Sequence, residues 1–268
     1  MRVHQIFTGS HLRNFSYVIH SDDGQRVFCI DPCDADQIAD FLNARGLRLT
    51  HIINTHEHAD HTSGNAGLVD RYKNVWVCAH ERAQSAVPGF NQPLRVADQL
   101  EIEPGAAFEV LDTPGHSRAH VCLLLKTGAA GAHGVFTGDI LFNAGVGRCD
   151  RGGDPDLLYE TIRDQFQTMA DDLAVYPGHE YMGNNLKFTL EYEPENAAAR
   201  RLLREYHSEI ARGRYIVSTL GLERAMNTFL RLDSPELRRE LSRRFADLDS
   251  DADDRAIFLR LRQLRDDW

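Results

Sequence analysis

Up to about Tyr181, short runs of apolar and β-branched residues alternate with turn-forming stretches. The runs Ser16–Ile19, Val27–Ile30, His51–Asn54, Val75–Cys78, Phe108–Leu111, Val121–Leu125, Val135–Thr137 and Leu173–Tyr176 have the length and composition of strands. Between them, apolar positions return at helical spacing over Ala35–Arg45, Ser63–Tyr72 and Asp156–Met169. The last of these opens on Asp154-Pro155, a cap followed by a first-turn proline. Strands and helices mixed in this way predict a layered α/β architecture. From Asn184 onward the pattern is helical, with one strand candidate near Tyr215–Val217. The closing segment from Asp253 to Arg262 sets apolar residues at helical spacing with charges between, which predicts an amphipathic helix whose charges lie in water. No internal repeat or low-complexity tract interrupts the chain.

Composition narrows the class. With 268 residues, 42% hydrophobic and 26% charged, the chain suits one large domain or a domain with an appendage. Its formal net charge of -10 argues against nucleic acid as the main partner, because phosphate binding needs a basic face. A small anionic substrate stays open, since a local patch can oppose the overall sign. No apolar run reaches the length of a membrane span. The opening Met1-Arg2-Val3-His4-Gln5-Ile6-Phe7 enters a strand-like pattern at once and lacks the features of a secretory leader. The five cysteines (Cys29, Cys33, Cys78, Cys122, Cys149) are scattered and without metal-site spacing, so they are expected to be reduced thiols in a cytoplasmic protein.

The placement of the 13 histidines carries the chemistry. The run Asn54-Thr55-His56-Glu57-His58-Ala59-Asp60-His61 directly follows an apolar strand candidate. Side chains alternate in an extended loop, so His56 and His58 project to one side. Asp60 and His61 fall where the chain is expected to enter a helix. Three imidazoles and a carboxylate this close are costly as mere packing, and they are donors that zinc, manganese and iron accept. One loop supplies too few ligands, and three further candidates sit past strand candidates, each after a glycine: His116 in Pro114-Gly115-His116, Asp139 in Thr137-Gly138-Asp139, and His179 in Pro177-Gly178-His179. Taken singly, each would be an ordinary residue; the shared strand–glycine–ligand context sets them apart. His4, His11, His20, His51, His80, His133 and His207 lack that context and are expected to be ordinary. No Gly-x-Ser-x-Gly elbow is present.

These residues, in this order, resemble the metallo-β-lactamase superfamily. The likeness reaches further, to the glyoxalase II (hydroxyacylglutathione hydrolase) family. It runs through Gly64-Asn65, Thr137-Gly138-Asp139-Ile140-Leu141-Phe142, Gly145-Val146-Gly147-Arg148, Gly178-His179-Glu180-Tyr181 and Asn184-Asn185-Leu186-Lys187-Phe188. It continues in Ser218-Thr219-Leu220-Gly221, Asn227-Thr228-Phe229-Leu230-Arg231 and the closing Phe258–Trp268 run, so it covers nearly the whole chain.

The resemblance implies an αββα sandwich over residues 1–180, carrying the catalytic metal site, and an α-helical substrate-binding domain over 181–268. It implies two divalent metal ions, zinc foremost, with iron or manganese as alternatives. His56, His58 and His116 would hold one ion and Asp60, His61 and His179 the other, with Asp139 bridging. Asp60 and Asp139 would be catalytic through the metals, His120 would orient a ligand or water, and Asp31 would have a similar supporting role. Arg148, Tyr181 and Arg231 would bind the thiol half of a glutathione thioester such as S-lactoylglutathione, which a metal-bridging hydroxide would cleave. The chain departs from the family pattern at Cys149-Asp150-Arg151-Gly152-Gly153 and at Leu232-Asp233-Ser234. The run from Gly152 to Tyr159 also resembles the persulfide dioxygenases, a sister family binding one iron, which defines the alternative activity.

Overall fold

The computed structural model describes residues 1–128, 131–248 and 251–268, so positions 249 and 250 of the expected helical stretch lie outside the described residues. The chain divides into two compact units that are not consecutive stretches. The first comprises Met1–Thr113, Ala119–Gly138 and Pro177–Glu180; the second comprises Pro114–Arg118, Asp139–Tyr176 and Tyr181–Trp268.

The first unit opens with strands β1 (Arg2–Phe7), β2 (Phe15–His20) and β3 (Val27–Ile30), then helix α1 (Ala35–Asn43) and strand β4 (His51–Ile53). Helices α2 (Ala59–Thr62) and α3 (Asn65–Arg71) lead into β5 (Trp76–His80) and β6 (Gln92–Leu94), and strands β7 (Gln99–Glu103), β8 (Ala106–Asp112), β9 (Val121–Thr127) and β10 (Gly131–Gly138) follow. Strands β1 to β6 form one sheet in sequence order, antiparallel from β1 to β3 and parallel from β3 to β6. Strands β10, β9, β8 and β7 lie in that order, antiparallel, in a second sheet.

Alternation within these strands builds both faces. Val18, Val27, Cys29, Ile52 and Val77 cluster with Ile38 and Leu42 of α1 and Leu68 of α3. Their neighbours turn to the other face, where Phe28 meets Phe108 edge-on with centroids 5.6 Å apart and Tyr17 meets Phe136 at 5.1 Å. Each fully buried phenylalanine contributes about 1.5–3 kcal/mol. Burial on both faces is why β2 and β3 read as near-continuous apolar runs. The expected helix Ser63–Tyr72 is α3, and the short helix α2 precedes it, the two parted at Ser63 and Gly64, whose N–H donates to the Pro32 carbonyl at 2.8 Å. Strands β6 and β7 were not legible, the first being short and the second an edge strand with polar alternate positions.

The second unit holds the ribbon β11 (Leu141–Phe142) and β12 (Gly145–Val146), helix α4 (Pro155–Thr161), strand β13 (Ala174–Pro177), and helices α5 (Met182–Tyr192) and α6 (Ala197–Ile210). Strand β14 (Ser218–Thr219) and helices α7 (Leu220–Met226), α8 (Pro235–Arg244) and α9 (Asp254–Asp267) complete it. Asp154 caps α4 through the N–H groups of Asp156 and Leu157, as its sequence implies. The expected helix to Met169 instead passes at Thr161 into a π turn over Ile162–Phe166, closed by Gln167 N to the Ile162 carbonyl at 3.1 Å. The strand expected near Tyr215–Val217 lies just beyond it, as β14 pairing with β13. Phe258 of α9 packs on Tyr159 and Phe229. The charges of α9 are not all solvated: Arg262 is 3% exposed, which corrects the sequence expectation. Among the described residues no helix is long and apolar enough to cross a membrane.

Candidate metal centre

Parallel strands present the loops at their carboxyl ends, and the loop leaving β4 carries Thr55, His56 and His58 before α2 begins. In the first unit, Asp60, His61 and His179 come together with their ligand atoms all within 4.8 Å of one another. His61 Nε2 is 3.2 Å from His179 Nε2, and Asp60 Oδ2 is 3.4 Å from each of them.

Each imidazole is oriented through its other nitrogen. His61 Nδ1 donates to Asp31 Oδ2 at 2.9 Å, and His179 Nδ1 donates to the Leu12 carbonyl at 2.7 Å. Both partners are acceptors, so each Nδ1 carries the proton and each Nε2 presents a lone pair. Two such lone pairs beside a carboxylate oxygen repel one another unless a cation lies among them, and nitrogen with carboxylate oxygen is a donor set that divalent metals accept. The residues therefore fit a metal ion.

The same logic orders His56. The Thr55 hydroxyl gives its proton to Asp31 Oδ2 at 2.7 Å, which leaves its oxygen to accept from His56 Nδ1 at 3.0 Å. His56 Nε2 then faces His58 Nδ1 at 3.0 Å, as the alternation of side chains in the loop implies. Asp31 also accepts from the Thr55 N–H at 2.7 Å and is 3% exposed, with a left-handed φ of 50°. One buried carboxylate thus fixes Thr55, through it His56, and His61.

His120 has no exposed surface, bonds Thr113 Oγ1 through Nδ1 at 3.0 Å, and stacks on His56 with centroids 5.1 Å apart. Its ring thus backs that of a candidate ligand. The close approach depends on Gly138, whose φ is +46° and where a Cβ would stand 2.6 Å from both His120 Nε2 and Thr55 Oγ1. Asn14 was not singled out by sequence, yet its Nδ2 donates to Asp60 Oδ2 at 2.8 Å. A lone asparagine between strands offers no pattern by which to find it.

In the second unit, His116 and Asp139 are both buried, with Nε2 and Oδ2 3.5 Å apart. His116 Nδ1 donates to the Arg148 carbonyl at 2.6 Å, which again turns the Nε2 lone pair outward. Arg148 extends an exposed side chain, held 3.0 Å from Asp150 and 3.6 Å from Asp266. Tyr181 precedes α5 and sets its ring edge-on to Phe142, with centroids 5.3 Å apart. Arg231 donates through Nε to Glu193, a carboxylate with no exposed surface, and through Nη1 to the Arg224 carbonyl. Burial pushes Glu193 above the usual carboxylate range, with Ser234 and Arg231 pulling it back.

All five cysteines are free thiols. Burial pushes Cys78, Cys122 and Cys149 up to about 12 and Cys29 further still, so none of these offers a thiolate nucleophile at neutral pH.

Residues 11–179 match the model of the metallo-β-lactamase superfamily, and residues 180–268 match that of the hydroxyacylglutathione hydrolase C-terminus. A hydroxyacylglutathione hydrolase of Nitrosococcus oceani is 41% identical, and one of a Polaromonas species 39% identical, each over all of both chains. Among solved structures, ETHE1 from Myxococcus xanthus superposes with a TM-score of 0.68 over 98% of this chain and 90% of its own, at 24% identity. TTHA1623, solved in a di-iron-bound form, superposes with a TM-score of 0.59 at 26% identity over 85% of this chain and all of its own.

Proposed function

This chain belongs to the hydroxyacylglutathione hydrolase family of the metallo-β-lactamase superfamily, and from that premise we propose that it hydrolyses S-(2-hydroxyacyl)glutathione thioesters, S-lactoylglutathione first among them, to a 2-hydroxy acid and glutathione. The reading assigns catalysis to residues 1–180 and substrate binding to 181–268. His56, His58 and His116 would hold one divalent ion, Asp60, His61 and His179 a second, and Asp139 both. Zinc is the proposed metal, and iron has a precedent in the di-iron-bound TTHA1623.

The observation that carries the proposal is the convergence of Asp60 Oδ2 with two imidazole lone pairs whose opposite nitrogens are tied to Asp31 and to the Leu12 carbonyl. When bound, the two cations would acidify a coordinated water from about 16 toward about 7 and polarise the thioester carbonyl. The protein's own part is orientation. Asp31 and the Leu12 and Arg148 carbonyls set the tautomers of His61, His179 and His116, while His120 backs the ring of His56. Asn14 steadies Asp60. With the buried thiols protonated, the reading needs no covalent acyl-enzyme.

Arg148 and Tyr181 are proposed to meet the thiol half of the substrate, a guanidinium being suited to the carboxylates of glutathione. Arg231 is proposed to contribute through its charge and Nη2, its remaining nitrogens being committed to Glu193 and Arg224. Free, scattered thiols suit a reducing compartment such as the cytoplasm.

Metal analysis beside turnover of S-lactoylglutathione and of a glutathione-free thioester tests the reading. Two equivalents of metal with preference for the glutathione substrate are expected. If Asp139→Ala keeps both metals and full thioesterase activity, the proposal fails. The alternative of persulfide oxidation at a single iron would show as oxygen consumption with glutathione persulfide, which hydrolysis does not produce.

A further inference from the structure

Arg262 lies on α9, far along the chain from every candidate metal ligand, and is 3% exposed. Its Nη1 donates to two successive backbone carbonyls, Val146 at 3.0 Å and Gly147 at 2.9 Å. Its Nη2 donates to Asp266 Oδ1 at 2.9 Å, and the same carboxylate oxygen stands 3.6 Å from Arg148 Nε. The backbone that Arg262 holds runs directly into the carbonyl that orients a candidate ligand. The next carbonyl, that of Arg148, accepts from His116 Nδ1 at 2.6 Å. Gly147 packs so closely that a Cβ there would stand 1.8 Å from the Asp139 carbonyl oxygen and 3.1 Å from His116 Nδ1. A shift of this loop by a few tenths of an ångström would therefore disturb both His116 and Asp139.

Burying a guanidinium is expensive, and an apolar side chain of similar volume often serves stability as well or better. Arg262 does lie among apolar groups, over the Phe229 ring and flanked on α9 by buried Leu261 and Phe258. A packing role alone would be met by leucine or methionine. Two carbonyls and a carboxylate addressed at once need the rigid fork of an arginine.

We propose that Arg262 is a positioning residue for His116, acting through the Val146–Arg148 backbone. The inference rests on the reading of His116 as a metal ligand. It extends the oriented set around the candidate centre from the loops that carry ligands to the last helix of the chain.

The test is a double-mutant cycle on the full-length protein with cobalt(II) as the probe, reading the affinity of each metal equivalent by chelator competition and the Tm of the metal-free protein. Arg262→Met is expected to weaken one equivalent by about 10–100-fold, the usual effect of losing an outer-shell partner. The control Arg260→Ala, on the same helix but paired with Asp247 and not with the Val146–Arg148 backbone, is expected to bind as wild type. In the His116→Ala background, Arg262→Met should add less than about threefold, because the residue it positions is gone. An equal loss in both backgrounds, or a lower metal-free Tm with unchanged metal affinity, overturns the proposal and leaves Arg262 a structural residue. Should Arg262→Met fail to fold, Arg262→Lys answers the same question, since one ammonium can reach the carbonyls but cannot also hold Asp266. Its loss of affinity must likewise vanish without His116. If His116→Ala itself binds cobalt as wild type does, the reading of the metal centre has failed, and this inference falls with it.

Discussion

The Asp31 carboxylate accepts a hydrogen bond from His61 Nδ1 at 2.9 Å while its other oxygen takes the Thr55 N–H at 2.7 Å. One side chain, buried and held in a left-handed turn, sets the tautomer of one candidate ligand and the position of the loop bearing His56 and His58.

Replacing Asp31 by asparagine is the mildest way to break this arrangement, because asparagine tolerates the left-handed backbone as well as aspartate does. All the groups facing Asp31 are donors, so one amide N–H₂ must oppose a donor. Asp31→Asn is expected to lower metal affinity by about 10–100-fold with the fold retained. Equilibrium dialysis against a metal buffer, beside circular dichroism, checks both halves of that statement.

Gly147→Ala probes the contact between the Val146–Arg148 loop and Asp139. A methyl group 1.8 Å from the Asp139 carbonyl oxygen cannot be accommodated by a side-chain rotation, since the opposing atom is backbone. The substitution is expected to cost more than about 3 kcal/mol or to displace the loop, and to lower metal content in step. Urea unfolding with metal analysis measures it; a variant as stable and as metal-replete as wild type would contradict the geometry.

Arg231 pairs with Glu193, whose carboxylate is fully buried and also accepts from Ser234 Oγ at 2.7 Å. Removing the arginine leaves a buried carboxylate short of its counter-charge, so Arg231→Ala is expected to destabilise the chain by about 3–5 kcal/mol. Glu193→Gln in the same chain should recover part of that loss. If Arg231→Ala raises KM and leaves Tm unchanged, its role is with substrate and the ion pair matters little.

Glu223 is fully buried among Ser218, Asn143, Asn227 and the Ala144 N–H, and burial pushes its carboxyl up to about 7 despite those donors. A carboxyl raised above its ordinary value of 4.5 holds a proton in the folded chain that the unfolded chain has released. Its contribution to stability is present below that ordinary value and is lost as pH rises through about 7. The margin of wild type over Glu223→Gln should therefore shrink by about 1–3 kcal/mol between about pH 5 and about pH 8. Urea unfolding of metal-free protein across that range reads the difference directly; a margin that grows with pH would mean that the donors outweigh burial.

Legible in residue order alone are the loop after β4 with its candidate ligands, the strand ends that precede His116, Asp139 and His179, and the change from mixed elements to helices near Tyr181. Those features are written in local order: alternation in a strand, glycine before a turn, and imidazoles spaced along one loop all act between near neighbours. Tertiary structure alone decided how the imidazoles are oriented. His179 is turned by a carbonyl at Leu12 and His116 by one at Arg148, and a backbone carbonyl leaves no signature in residue identity. It alone decided that Arg262 lies in the interior, since a charge at helical spacing reads as solvated until the carbonyls of Val146 and Gly147 are found waiting for it. It alone showed Arg231 committed to Glu193, a partner well upstream in the chain. Which side chains can bind a metal is a matter of their chemistry, legible residue by residue; which nitrogen of each faces the metal depends on acceptors that only folding brings into reach.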